Sequence, residues 1–245
     1  MRERLITSIV LIAVLILVAV VNNKFLTGLV FAAISIVGFY EAKKLFGVDD
    51  EKIFYLAAVG SVLSLFVSPL FLAVFAVIAA ASYIAYYQKE ISLISPVIYP
   101  FVPVMIMYAL YLKHGMGAIG WLIVIVALTD SMAYLIGKNF ARKFFISGFC
   151  KTSPNKSWEG VIGGVFFGTV VGAFVGLNFM GFFQAFLFSF VISVSGVFGD
   201  LFESYLKRRA GVKDSGNILP GHGGILDRID GYLFAAPMMF VLLGV

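Results

Sequence analysis

Two aspartates three residues apart are the first candidates for chemistry in this sequence. Asp227 and Asp230 stand where the last apolar segment of the chain begins. Residues three apart in a helix share one face, so both carboxylates would point the same way. Paired carboxylates hold Mg²⁺ in sites where the ion also binds substrate phosphates. The pair therefore predicts a magnesium site for phosphate chemistry.

The segment before this pair contains the groups that phosphates bind. His222 is surrounded by Gly221, Gly223 and Gly224, and glycine-rich backbone can approach a phosphate closely with its N–H groups. Lys and Arg side chains neutralise phosphate charge. Four of them precede the glycines: Lys207, Arg208, Arg209 and Lys213. This combination is typical of phosphoryl or nucleotidyl transfer. The alternative, a solvated loop with topology-setting charges, leaves the glycines and the paired aspartates unexplained.

Two further aspartates follow or interrupt apolar runs. Asp200 shares a helix face with Ser204 and Lys207, which places a carboxylate, a hydroxyl and an ammonium group together. Asp130 lies inside an apolar run, and burying a carboxylate in a membrane costs about 2.5–3.5 kcal/mol on insertion scales. Two interpretations of Asp130 stay open, a hydrogen bond to another helix and a polar wall of an active cavity.

A second polar segment also carries basic residues. Its turn at Ser153-Pro154 precedes Lys156 and Trp158. Lys156 could close over a nucleotide while Trp158 anchors the segment at the membrane interface. The alternative is a basic loop attracted to anionic lipid.

The composition fixes the class of protein that must position these residues. Of the 245 residues, 61% are hydrophobic and 13% are charged, and the mean hydropathy is +1.03. Soluble domains are about a quarter charged, so a soluble enzyme, a disordered chain and a coiled coil are excluded. The lone Cys150 excludes a disulfide framework. The net charge of +5 does not indicate nucleic-acid binding, because basic residues first fix membrane topology.

We predict an all-α, polytopic integral membrane protein of about nine transmembrane helices. The third and fourth spans flank Ser68-Pro69 and could instead form a re-entrant pair. The predicted spans are about 5–21, 25–40, 53–67, 70–87, 91–112, 118–137, 160–178, 181–206 and 229–245.

The basic residues predict the orientation of these spans. With a cytoplasmic N-terminus, sixteen of the 18 Lys and Arg residues lie on the cytoplasmic side, and only Lys24 and Lys113 lie opposite. We therefore expect a multi-pass protein of the cytoplasmic membrane. Its first apolar segment is interpreted as a retained helix because Val20-Val21-Asn22-Asn23 is a poor cleavage site.

The two halves of the chain differ in character. Residues 1–117 are generic apolar spans, whereas residues 118–245 contain most of the unusual polar residues and are predicted to be catalytic. Two longer polar segments lie in this second half, loop A (about 138–159) and loop B (about 207–228). The glycines of span 160–178 are typical of close helix packing.

The residues of loop B resemble the signature of the phosphatidate cytidylyltransferases, also called CDP-diacylglycerol synthases. That pattern is Ser, two residues, Lys-Arg, four residues, Lys-Asp, a Gly-containing stretch, His-Gly-Gly, two residues, Asp-Arg, one residue and Asp. This chain matches it across 27 residues with Ser204, Lys207-Arg208, Lys213-Asp214, Gly216, Pro220, His222-Gly223-Gly224, Asp227-Arg228 and Asp230.

Two shorter stretches extend the resemblance to roughly residues 127–232. Residues 153–160 are similar to the family's Ser-Pro-Lys-Lys-Thr-Trp-Glu-Gly, with Asn155 and Ser157 in place of Lys and Thr. Asp130 and Tyr134 resemble an Asn-Asp-Thr-x-Ala-Tyr stretch in which Thr129 replaces Asn.

The resemblance implies the reaction of CTP with phosphatidate to give CDP-diacylglycerol and pyrophosphate, with Mg²⁺, for phospholipid biosynthesis in a membrane homodimer. A second cation is left open. We assign hypothetical roles on this basis. The metal ligands are Asp227, Asp230 and Asp200, and the other catalytic residues are Lys207, Ser204 and His222. The substrate-binding residues are Lys156, Arg208, Lys213, Arg228, Gly223, Gly224 and Asp130.

Other functions explain fewer of these residues. The stretch 227–231 contains the Asp-x-x-Asp-Gly opening of the CDP-alcohol phosphatidyltransferases, but the rest of that motif does not follow. A CTP-dependent polyprenol kinase also combines CTP with a lipid, although the full pattern favours the cytidylyltransferase. A transporter would spread charges through several spans, whereas here they gather at one membrane face. A purely structural membrane protein leaves the Gly-His-Gly-Gly stretch unexplained.

Overall fold

A computed structural model of the chain describes the backbone of residues 2–244 and the side chains of residues 5–244, and most of these residues are helical. Within that range there is no β-strand, and only two isolated bridges occur, Gly148–Ser157 and Leu219–Gly223. The helices are α1 (Arg2–Val21), α2 (Lys24–Phe46), α3 (Glu51–Leu63), α4 (Pro69–Tyr87), a 3₁₀ turn (Ile91–Ile94), a π turn (Val97–Phe101), α5 (Val102–Phe140), α6 (Trp158–Gly176), α7 (Phe182–Arg209) and α8 (Leu226–Gly244).

Short polar residues fix the beginnings of several helices. The side chain of Asn23 accepts hydrogen bonds from two backbone N–H groups at the start of α2, and Asp50 does the same for α3. Ser157 caps α6 by accepting a bond from the N–H of Gly160 at 3.1 Å. These bonds satisfy N–H groups that have no partner inside the helix.

The predicted all-helical membrane class is confirmed, and each predicted span falls on a helical segment. The fifth and sixth spans form one run, Ile91–Phe140, whose backbone leaves helical geometry at Gly115 (φ 79°, ψ −177°). Within the described part of the chain, five helices are long and apolar enough to cross a bilayer: Lys24–Phe46, Pro69–Tyr87, Ile91–Phe140, Trp158–Gly176 and Phe182–Arg209.

The count of nine spans stays a prediction. Helix α3 has 13 residues, which reach about 20 Å at 1.5 Å per residue and so fall short of a hydrocarbon core about 30 Å thick. Helix α8 has three charged residues near its start. The ninth predicted span ends at Val245, which lies outside the described residues.

The chain divides into two compact units, and the first comprises Met1–Met116 and Arg209–Ile229. In this unit α2 packs against α3, with Phe39 and Ile53 buried. Helix α2 also approaches the start of α8, because a Cβ atom on Gly38 would lie 3.3 Å from the side chain of Leu226. The unit therefore places loop B against α2.

The second unit comprises Gly117–Arg208 and Asp230–Val245. Its α6 packs closely through glycines, as the sequence predicts: a Cβ atom on Gly164 would lie 2.5 Å from the carbonyl oxygen of Thr129. The indole of Trp121 donates a hydrogen bond to the carbonyl of Gly172 at 2.7 Å, and the hydroxyls of Thr129 and Ser193 are also 2.7 Å apart. These contacts hold α5, α6 and α7 together.

Candidate active site

The carboxylate of Asp227 organises loop B in the first unit. Its Oδ2 atom accepts hydrogen bonds from the backbone N–H of Ser215 (2.8 Å), the hydroxyl of Ser215 (2.9 Å) and the N–H of Gly224 (2.7 Å). Gly223 has a φ of +81°, and a Cβ atom there would lie 2.6 Å from Oδ2. A glycine is required at this position, and Asp227 joins Ser215 to Gly224 across the loop.

His222 is held by α1 and is next to a guanidinium group. Its Nε2 atom lies 3.1 Å from the hydroxyl of Ser8, and its carbonyl accepts two hydrogen bonds from Arg228, at 3.1 and 2.7 Å. The hydroxyl of Thr7 donates to the carbonyl of Pro220 at 2.9 Å. The Nδ1 atom of His222 is buried without a hydrogen-bond partner among the described residues, so it is a group that a substrate could satisfy.

Glu41 of α2 contacts this loop, and sequence reasoning missed it. Its side chain is buried and accepts bonds from the hydroxyl of Ser215 (3.1 Å) and from the N–H groups of Ile225 (3.0 Å) and Leu226 (2.9 Å). The available signal was an acidic residue directly after the predicted span 25–40. That position was indistinguishable from an ordinary charged helix end.

In the second unit Lys156 and Asp200 form the central pair. The Nζ and Oδ2 atoms are 2.5 Å apart, and both side chains are about one quarter exposed. The hydroxyl of Ser204 donates to Oδ1 of Asp200 at 3.3 Å, as the shared helix face predicts. The structure thus brings together three of the predicted site residues.

Lys207 pairs with Glu203 and not with Asp200, the carboxylate that the sequence predicts on its helix face. Its Nζ atom lies 2.5 Å from Oε2 of Glu203, which is fully buried. Sequence reasoning did not select Glu203, although a second carboxylate three residues after Asp200 on the same helix was a signal for it. The predicted phosphate-binding residues Arg208 and Lys213 are exposed.

A cavity of about 450 Å³ lies in the second unit beside the Lys156–Asp200 pair. Asp130 lines this cavity and is exposed on its wall, so the cavity-wall interpretation is favoured over a helix-packing bond. Other lining residues are Tyr134, Gly137, Asn155, Ser157 and Gly160.

Loop A is held in its fold by a further buried acid, Glu159. One oxygen of Glu159 accepts bonds from the N–H groups of Phe144 (2.9 Å) and Phe145 (3.0 Å). The N–H of Phe149 donates to the carbonyl of Lys156 at 2.8 Å, and the ring of Phe149 packs on Trp158 with centroids 4.8 Å apart. These contacts fix the backbone from which Lys156 reaches Asp200.

The described residues contain no group of three or more His, Cys, Asp or Glu side chains arranged to hold a metal ion. A preformed all-protein metal cage is therefore absent from the part of the chain that the structure describes. Magnesium sites do not need one, because the ion usually takes one or two carboxylates, water and the phosphates of its substrate.

Comparison with known proteins identifies the class to which this fold and site belong. The model of the cytidylyltransferase family matches residues 2–245. The chain belongs to this family, and it is a nucleotidyltransferase enzyme.

Curated relatives refine the comparison. A phosphatidate cytidylyltransferase of Helicobacter pylori strain J99 is 43% identical over 247 residues, which cover 99% of this chain and 91% of the relative. The enzyme of the same name from Thermotoga maritima is 41% identical over 55% of this chain and 53% of its own length. The enzyme of the same name from Bacillus subtilis is 41% identical over 54% of this chain and 49% of its own length.

Proposed function

We propose that this protein transfers the CMP group of CTP to phosphatidate, giving CDP-diacylglycerol and pyrophosphate for phospholipid biosynthesis. The observation that carries this function is the near full-length similarity to a phosphatidate cytidylyltransferase. The site supports it, because cationic and carboxylate side chains line a cavity in a helical membrane protein.

The reaction needs positioning and charge neutralisation. An oxygen of the phosphatidate phosphate forms a bond to the α-phosphorus of CTP, and the bond from that phosphorus to the oxygen leading to the β-phosphate breaks. Phosphate monoesters are largely ionised at neutral pH, so the nucleophile needs no catalytic Ser or Cys. Enzymes of this kind gain their rate from alignment and from cations placed where charge develops.

Lys156 is the residue that we propose contacts phosphate in the cavity. It is held by Asp200 at 2.5 Å and is one quarter exposed, so a phosphate entering the cavity can reach the ammonium group. We propose that the predicted substrate residues of loop B, Arg208, Lys213, Arg228, Gly223 and Gly224, also take phosphate. The exposure of Arg208 and Lys213 fits this role.

We propose Asp227 and Asp230 as magnesium ligands, with Asp200 contributing. These residues suit the ion, because Mg²⁺ prefers hard carboxylate oxygens as ligands. Asp227 and Asp230 are three residues apart at the start of α8. When bound, the ion would supply positive charge that neutralises the phosphates and the leaving group. Asp227 also orders the loop through its Oδ2 atom.

We propose that the protein crosses the cytoplasmic membrane nine times as a homodimer, with the N-terminus and loops A and B in the cytoplasm. The third crossing would comprise α3 together with the turn residues 64–67 that follow it. The uneven distribution of basic residues supports this orientation. Phosphatidate would then enter from the bilayer, and CTP would enter from water.

The direct test is product formation by protein purified in detergent. Incubation with phosphatidate, CTP and Mg²⁺ should give CDP-diacylglycerol, detected by mass spectrometry, and pyrophosphate in equal amounts. Omission of either substrate should abolish both products. Folded protein that forms neither product contradicts the proposal.

A further inference from the structure

Glu41 is a buried carboxylate whose hydrogen-bond partners all come from one functional segment. It is 1% exposed on α2 and accepts bonds only from residues 215–226 in the part of the chain that is described. No Lys or Arg side chain pairs with it among the described ion pairs. A buried charge without a counter-ion is costly unless hydrogen bonds replace its water, so these three donors are what keeps the carboxylate in place.

Glu41 caps the helix that carries the predicted magnesium ligands. The first N–H groups of a helix have no partner within the helix. Those of Ile225 and Leu226, at the start of α8, donate to the two different oxygens of Glu41 at 3.0 and 2.9 Å. A negative charge at this end also interacts favourably with the helix dipole.

One hydroxyl links Glu41 to Asp227. The Oγ atom of Ser215 lies 3.1 Å from Oε2 of Glu41 and 2.9 Å from Oδ2 of Asp227, and its single hydrogen is shared between the two carboxylates. Ser215 is itself buried. The orientation of Asp227 therefore depends on a hydroxyl group that Glu41 also fixes.

The glycines of loop B make room for the Glu41 carboxylate. A Cβ atom at Gly216 would lie 2.5 Å from Oε1 of Glu41, and one at Gly224 would lie 2.5 Å from Oε2. Both distances are far shorter than van der Waals contact. The backbone at these two positions thus closes directly on the carboxylate.

We infer that Glu41 is a positioning residue of the cytidylyl transfer, which holds Ser215 and the start of α8 so that Asp227 faces its ligand correctly. This inference rests on the proposed function for its catalytic consequence. Its structural part does not depend on that function, since it concerns the order of loop B in the enzyme without substrate.

Glu41→Gln is the most informative substitution. The amide of Gln has the same size as the carboxylate. Each carboxylate oxygen of Glu41 accepts a hydrogen bond from one backbone N–H group, that of Ile225 or that of Leu226. In the Gln variant the NH₂ group replaces one of these oxygens, so one backbone N–H group faces another donor. Displacement of reacting groups by about 1 Å costs on the order of 10²-fold in rate. We expect kcat to fall by about that factor, with the KM for phosphatidate changed less than about twofold.

Hydrogen exchange measured by mass spectrometry supplies a readout that does not require activity. Amides of residues 215–227 should exchange faster in Glu41→Gln, whereas those of α6 should be unchanged. The matched control is Glu90→Gln, because Glu90 is exposed and has no bond to loop B; it should match wild type in both measurements.

Unchanged exchange at residues 215–227 together with a kcat within about twofold of wild type would overturn the inference. If Glu41→Gln does not fold, Glu41→Asp is measured, where the carboxylate is one methylene short and the same two effects should appear in weaker form. Wild type that makes no CDP-diacylglycerol refutes the proposed function, while the exchange comparison still decides the role of Glu41.

Discussion

Lys156 of loop A and Asp200 of α7 are joined by an ion pair of 2.5 Å, at the edge of the cavity in the second unit. The two residues are 44 positions apart in the chain, and the backbone bonds of loop A and the cap of α6 hold the lysine end of the pair. Each side chain is about one quarter exposed. The pair is therefore both ordered and accessible to a substrate.

Lys156→Ala should cost activity without unfolding the protein. It removes the cation that we propose contacts the phosphates of the substrate, and loss of one such group costs roughly 10²–10³-fold in kcat. Steady-state kinetics with varied CTP measure the effect. Lys151→Ala is the control in the same loop, because Lys151 is exposed and lies outside the cavity lining. Wild-type activity in both Lys156→Ala and Lys151→Ala would refute the role of Lys156.

Asp230→Asn and Asp227→Asn should both reduce activity by at least about 10²-fold, but only the second should also loosen loop B. The Oδ2 atom of Asp227 accepts three hydrogen bonds, and the neutral amide oxygen of Asn holds the same donors less strongly, because hydrogen bonds to an ionised acceptor are roughly twice as strong as neutral ones. Asp230 makes a local bond to the N–H of Gly231.

Turnover assays and thermal unfolding in detergent separate these two effects. Asp49→Asn is the control, because the Asp49 side chain is 96% exposed. Near wild-type turnover in both variants would remove the paired carboxylates from the mechanism.

Gly164→Ala should destabilise the second unit. The new methyl group would meet the carbonyl oxygen of Thr129 at 2.5 Å, and such overpacking costs about 1–3 kcal/mol. Gly120→Ala is the matched control on α5, where nothing lies within 4 Å of the added Cβ. Thermal unfolding of purified protein should show a lower midpoint only for Gly164→Ala; a midpoint equal to that of wild type would show that the helices can separate without cost.

The sequence was sufficient to predict the helical membrane class and most of the polar residues that the structure brings together. Long apolar runs identify helices because a bilayer leaves the backbone few alternatives. The Asp200–Ser204 contact follows from helix periodicity alone. The sequence does not fix the number of membrane spans in the same way, because α3 is short and α8 begins with charged residues.

Contacts between distant segments could not be predicted in the same way. Glu41 meets Ser215, 174 positions away, and nothing in its local sequence distinguishes it from an ordinary charged helix end. The Lys207–Glu203 pair is by contrast a local contact, because residues four positions apart on α7 are neighbours on the helix surface.

Position-specific labelling of CTP tests the proposed reaction most directly. Purified protein is incubated with phosphatidate, Mg²⁺ and CTP labelled at either the α- or the γ-phosphate, and the label in the lipid phase is counted. Nucleotidyl transfer predicts that α-label enters the lipid and that γ-label stays in aqueous pyrophosphate. Transfer of γ-label to the lipid, with none from the α-position, would instead show a lipid kinase and contradict the proposed function.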